Sequence, residues 1–164
     1  MNDMAENEIL AQRVIALYSA SGKTVATAES CTGGLIAGAL TDIAGSSAVV
    51  DRGFVTYSNE AKHEMLGVPA DLIAEVGAVS EQVARMMAEG ALARAGVDRA
   101  IAVTGVAGPG GGSSEKPVGL VHFGLAQRDE DTIHAVHIFE GLDRRGVRIA
   151  TVSTALKMLL ASLS

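Results

Sequence analysis

Thr24-Val25-Ala26-Thr27-Ala28-Glu29-Ser30-Cys31-Thr32-Gly33-Gly34 begins as a β-branched, strand-forming run and ends in a polar cluster with two glycines. Leu35-Ile36-Ala37-Gly38-Ala39-Leu40 follows as an apolar, helix-like segment. A strand that breaks into such a turn and enters a helix lifts a hydroxyl or thiol off the sheet edge. It also aims backbone N–H groups at whatever lies beside the turn. Two readings fit: a nucleophile beside an oxyanion site, or an N-cap turn whose small residues allow tight packing.

Working outward, residues 5–20 carry Ile9, Leu10, Val14, Leu17 and Tyr18 at helical steps, and Gly22 supplies a stop. The strand covers residues 24–28, and the helix after the turn runs from about residue 33 to 44, closed by Gly45. Residues 48–50 and 53–57 read as a second strand region, with Asp51-Arg52 as a kink or bulge. Ser58 caps a short helix, Asn59–Leu66, ending at Gly67, and Pro69 opens another over residues 70–75. Ser80 caps the clearest helix, Glu81–Ala95, with Gly96 just beyond it. Residues 99–103 form an apolar run suited to a buried strand. Residues 118–127 and 132–140 follow as two strands joined through Arg128-Asp129-Glu130-Asp131, an antiparallel hairpin. Asp143 caps a last helix reaching about residue 163. Helices alternate with strands early and a hairpin sits late. The expectation is α/β: a single three-layer α/β/α domain over residues 1–164, with a mixed sheet including that late antiparallel hairpin.

Composition sets bounds on function. A chain of 164 residues, 48% apolar, is long enough to bury one real core. With 3% aromatic residues and no Trp, that core must be built from Ala, Val, Ile, Leu and Met. A net charge of -6 argues against non-specific nucleic-acid binding, which needs a basic face. The single cysteine, Cys31, excludes an internal disulfide and suits a reducing compartment. Residues 1–8 are acidic and lack a signal peptide's basic start, and no apolar run approaches the roughly 20 residues of a spanning helix. A cytoplasmic protein with no membrane partner is expected. Its Ala- and Gly-rich helices leave a homo-oligomer open.

Several residues carry chemistry in their type and spacing. The glycine loop around Gly108-Pro109-Gly110-Gly111-Gly112 matches neither phosphate-loop pattern, since a strand follows it. Its N–H groups still suit an anion, and a mobile surface loop is the other reading. Thr104 stands at the end of a buried strand, where ligands gather in α/β sheets. Among His63, His122, His134 and His137 no metal-ligand spacing appears, so no metal is expected. Lys62 follows Tyr57-Ser58-Asn59 at the end of the second strand region. If that strand lies beside the first, Lys62 and Tyr57 share a sheet edge with Ser30, and a desolvated lysine can act as a base toward serine. A solvated lysine on a helix face is the alternative. Arg144 and Arg148 lie four apart on one face of the last helix, near its N-terminus, where cations match the dipole poorly. Holding an anion such as a phosphate would justify that cost, and pairing with Asp143 or Glu140 is the other option.

Together these pieces resemble the CinA C-terminal domain family. The resemblance is carried by residues 28–34, by Val55-Thr56-Tyr57-Ser58-Asn59 with Lys62, and by residues 103–111. It continues through Lys116-Pro117-Val118-Gly119 and through Asp143-Arg144 with Val147-Arg148, covering residues 11–163. It implies a nicotinamide-nucleotide amidohydrolase that converts nicotinamide mononucleotide to nicotinate mononucleotide and ammonia without metal or organic cofactor. By that resemblance Ser30 is the nucleophile, Lys62 the general base, and Tyr57 a support for the dyad. Thr32, Gly33 and Gly34 would bind the oxyanion, and Thr104, Gly108, Arg144 and Arg148 would line the pocket for a pyridine nucleotide. Some members carry the domain behind a larger N-terminal domain, and the glycine-heavy stretch from Gly110 to Ser114 departs most from the pattern. Cys31 is the rival nucleophile, but no histidine is placed by the motif to serve it. A non-catalytic nucleotide-binding module linked to competence or DNA damage is the competing expectation. A related amidase or a pyrophosphatase acting on another nucleotide is a third, and the lack of a carboxylate cluster for Mg²⁺ counts against the pyrophosphatase.

Overall fold

The computed structural model describes residues 3–163. In chain order the elements are α1 (Met4–Ser21), β1 (Val25–Glu29), α2 (Leu35–Thr41), a 3₁₀ turn at Ser46–Ala48, β2 (Val50–Val55), α3 (Asn59–Leu66) and α4 (Ala70–Val76). They continue with α5 (Glu81–Ala95), β3 (Arg99–Gly105), β4 (Leu120–Gln127), β5 (Glu130–Ile138) and α6 (Arg144–Ala161). The strands form one sheet in the order β2-β1-β3-β4-β5. β2, β1 and β3 run parallel, while β4 and β5 turn back antiparallel. The mixed α/β sheet expected from the sequence is present, with its late hairpin.

Strand alternation separates two unlike cores. Val25, Ile101, Val103, Phe123 and Leu125 face α1, α2 and α6. Their neighbours Ala26, Ala28, Ala100, Ala102 and Ala126 face α5, Leu66 and Ile73. The alanine face lets α5 lie unusually close to the sheet. A methyl group on Gly124 would stand 2.4 Å from the Ala84 carbonyl oxygen, and one on Gly90 would stand 2.0 Å from that of Leu66. Close packing of small residues thus replaces the missing aromatic bulk.

Several boundaries differ from expectation, among them the start of α2 and the end of β2, and three local features have a backbone reason. α2 starts at Leu35 rather than residue 33, because Gly33 and Gly34 take φ values of 59 and 111, outside the right-handed helix. β5 starts at Glu130, so the hairpin loop shrinks to Arg128-Asp129, with Asp129 in the left-handed region at φ 61. β2 runs unbroken from Val50 to Val55. The expected irregularity appears as a register shift, Val25 facing Val50 and Ala26 facing Arg52, which leaves Asp51 as the extra residue of a bulge.

Candidate active site

The parallel strands β2, β1 and β3 end together, and that edge builds the site. Ser30 leaves β1 directly after Glu29, its N–H held by the Val103 carbonyl at 3.1 Å. Just past the end of the neighbouring strand β2, Ser58 caps α3 by accepting the Ala61 N–H at 3.0 Å. The cap sets the helix phase so that Lys62 turns inward, and the residue is 1% exposed. Its Nζ lies 3.1 Å from Ser30 Oγ. The same nitrogen lies 3.0, 3.3 and 3.4 Å from the carbonyl oxygens of Thr56, Tyr57 and Ser58.

Electrostatics distinguish the two candidate nucleophiles. Burial depresses the Lys62 pKa below its ordinary 10.5, because a desolvated ammonium is costly. A neutral amine can give its two N–H groups to the carbonyls and present its lone pair to the Ser30 hydroxyl. Burial pushes the Cys31 thiol the other way, up to about 12, with Glu29 adding to the rise. That thiol packs in the core against α1, α2 and α6 and is protonated at neutral pH.

A cavity of about 310 Å³ opens over the pair. Tyr57, Thr104, Gly108 and Arg144 line it together with Ser30 and Lys62. Thr104 is buried on the floor and donates its hydroxyl to the Ala78 carbonyl at 2.9 Å. Arg144 spans the mouth, donating to the Gly108 carbonyl at 2.7 Å and to the Tyr57 phenol oxygen at 3.0 Å. A larger hollow of about 560 Å³ beside Gly96 and Arg128, at the opposite end of the strands, contains no such pairing of hydroxyl and amine.

Other expected site residues take different places from those expected. Tyr57 accepts a hydrogen bond from Lys62 at its main-chain carbonyl; the residue is 61% exposed, lines the cavity mouth, and its phenol oxygen is bonded to Arg144 rather than to the dyad. Thr32, Gly33 and Gly34 turn away from the cavity. The Thr32 hydroxyl donates to Glu29 at 2.6 Å, and the Gly33 N–H is spent on the Ser30 carbonyl at 3.0 Å. Arg148 parts from Arg144: its Nε and Nη2 donate to the carbonyls of Cys31 and Thr32 at 3.1 and 3.2 Å. Sequence reasoning assigned no role to Glu29, which is fully buried and also accepts the N–H groups of Ile36 and Ala37 at 2.8 and 2.9 Å. An acidic residue closing a buried strand just before a helix N-terminus was the available signal. His134, on β5, contacts His122 at 2.9 Å between ring nitrogens, away from this cavity. Among the described residues no three His, Cys, Asp or Glu side chains are grouped to hold a metal ion, and no helix is long and apolar enough to cross a membrane.

The chain is 54% identical over 151 residues to the nicotinamide-nucleotide amidohydrolase PncC of Enterobacter agglomerans, covering 92% of each protein. It is 58% identical over 124 residues to a putative competence-damage inducible protein of Symbiobacterium thermophilum, where the match spans 76% of this chain and 29% of that longer protein. The crystal structure of the competence/damage inducible protein CihA from Agrobacterium tumefaciens superposes with a TM-score of 0.93 at 57% identity, covering 95% of this chain and 94% of the other. The CinA C-terminal domain profile matches residues 7–163, and the chain belongs to that family.

Proposed function

We propose that this protein is an amidohydrolase that converts nicotinamide mononucleotide to nicotinate mononucleotide and ammonia, with Ser30 as nucleophile and Lys62 as general base. The observation that carries the mechanism is the buried 3.1 Å approach of Lys62 Nζ to Ser30 Oγ. Near full-length similarity to an amidohydrolase of that name supports the substrate.

Ser30 Oγ attacks the carboxamide carbon while Lys62 takes its proton. The tetrahedral intermediate collapses as Lys62 returns that proton to the departing nitrogen, which leaves as ammonia. Water, deprotonated by Lys62, then attacks the acyl carbon; the ester bond to Ser30 Oγ breaks, Lys62 returns the proton to that oxygen, and the carboxylate product leaves. With the Gly33 N–H occupied, the oxyanion falls to the Cys31 N–H. That residue follows the nucleophile and lines the cavity while its thiol belongs to the core. Arg144, reaching across the mouth beside the glycine loop, holds the 5′-phosphate.

Incubating the protein with nicotinamide mononucleotide tests the proposal. Ammonia is expected together with a product carrying a carboxylate in place of the amide, identified by mass spectrometry. Nucleotide binding without ammonia would leave the binding-module reading in its place.

A further inference from the structure

The turn that presents Ser30 is gripped from two sides by residues outside the cavity. On one side, the Glu29 carboxylate accepts the Thr32 hydroxyl and the N–H groups of Ile36 and Ala37. On the other, the guanidinium of Arg148, near the start of α6, donates to two successive carbonyls, those of Cys31 and Thr32. Peptide planarity converts this into an orientation. With the Cys31 and Thr32 oxygens drawn toward α6, the Gly33 N–H points the opposite way, onto the Ser30 carbonyl at 3.0 Å. Holding the Ser30 carbonyl in turn fixes the Ser30–Cys31 peptide, so the Cys31 N–H faces away from that carbonyl.

Building on the Ser30–Lys62 reading, we propose that Arg148 is a positioning residue for the amide hydrolysis: its bidentate grip on the Cys31 and Thr32 carbonyls sets the direction of the Cys31 N–H and of Ser30 Oγ, and it does not bind the substrate phosphate. A planar fork is needed, because two carbonyls on successive residues must be held together. A lysine ammonium at the same place is a point donor on a flexible stem. Gly33 suits the turn through its backbone: φ is +59, where side chains are strained, while a methyl group there would meet Arg148 Nη2 only at an ordinary contact distance of 3.5 Å.

Arg148→Lys and Arg148→Ala are compared with the unaltered protein in three measurements. Ammonia release from nicotinamide mononucleotide should show kcat lowered by about 10- to 100-fold, since small misplacements of reacting groups act at that scale. KM should stay within about twofold, because no substrate contact is removed. Added methylguanidinium should restore part of the kcat of Arg148→Ala. Hydrogen exchange of the peptide covering Ser30 to Leu35 should accelerate in both variants while α5 stays protected. A rise in KM with kcat unchanged would make Arg148 a phosphate ligand and overturn the proposal, as would unchanged exchange in that peptide. If the unaltered protein releases no ammonia, the amidohydrolase reading fails, and the exchange data still decide whether Arg148 holds the turn.

Discussion

Replacing Lys62 with Met keeps the length and volume of the buried side chain and removes only the amine. Among the described residues, Lys62 Nζ is the one hydrogen-bonding partner of Ser30 Oγ, so the variant has no substitute base at the hydroxyl. General-base catalysis contributes about 10²- to 10⁴-fold, or roughly 2.7–5.4 kcal/mol of barrier, and a loss of kcat within that span is expected. The same substitution carries a signature in stability. Lys62 has a folded pKa below its unfolded value, so between the folded pKa and 10.5 the unfolded chain binds more protons. Folding stability of the unaltered protein therefore gains from this residue as pH rises through that window. The Met variant lacks the gain. Ammonia release measured by a coupled dehydrogenase assay gives kcat, and denaturant titrations at several pH values give stability. A folded Lys62→Met protein that keeps more than about a tenth of the parental kcat would refute the base assignment, since a general base supplies at least about 10²-fold.

Three further expectations follow from the same geometry. Ser30→Ala abolishes ammonia release, whereas Cys31→Ala keeps most of it and costs roughly 1 kcal/mol of stability, the scale of one buried methylene-sized group; the reverse result would reassign the nucleophile to the thiol. The kcat/KM profile rises with pH through an apparent pKa lower than the ordinary 10.5 of lysine, because only the neutral amine accepts the proton; a rate that falls across that limb would contradict the mechanism. Gly90→Ala drives a methyl group to 2.0 Å from the Leu66 carbonyl oxygen and forces α3 and α5 apart. Such overpacking costs about 3 kcal/mol, a melting point lower by roughly 6–12 °C in a protein of this size, and an unchanged melting curve would show that the helices are not packed this closely.

Much of the architecture was readable along the chain because its signals are local. Ser58, Ser80 and Asp143 each cap a helix by accepting an N–H three residues on, and Gly22, Gly67 and Gly96 stop helices through their left-handed backbone. The strand-turn-helix around Ser30, the alternation of strands with helices and the antiparallel hairpin came from the same short-range rules. Strand and helix ends were harder wherever a neighbour decided them: pairing with Gln127 starts β5 at Glu130, and the backbone of Gly33 and Gly34 delays α2. The site divides along the same line. Residue types marked Ser30, Lys62 and Arg144 as chemically apt, but helical spacing alone assigned Arg144 and Arg148 one job, and nothing local pointed to Glu29. Ser30 and Lys62 lie 32 positions apart, and Cys31 and Arg148 lie 117 apart. Whether such groups meet depends on which strands pair and how helices pack over them, interactions between distant segments that no short window of residues contains.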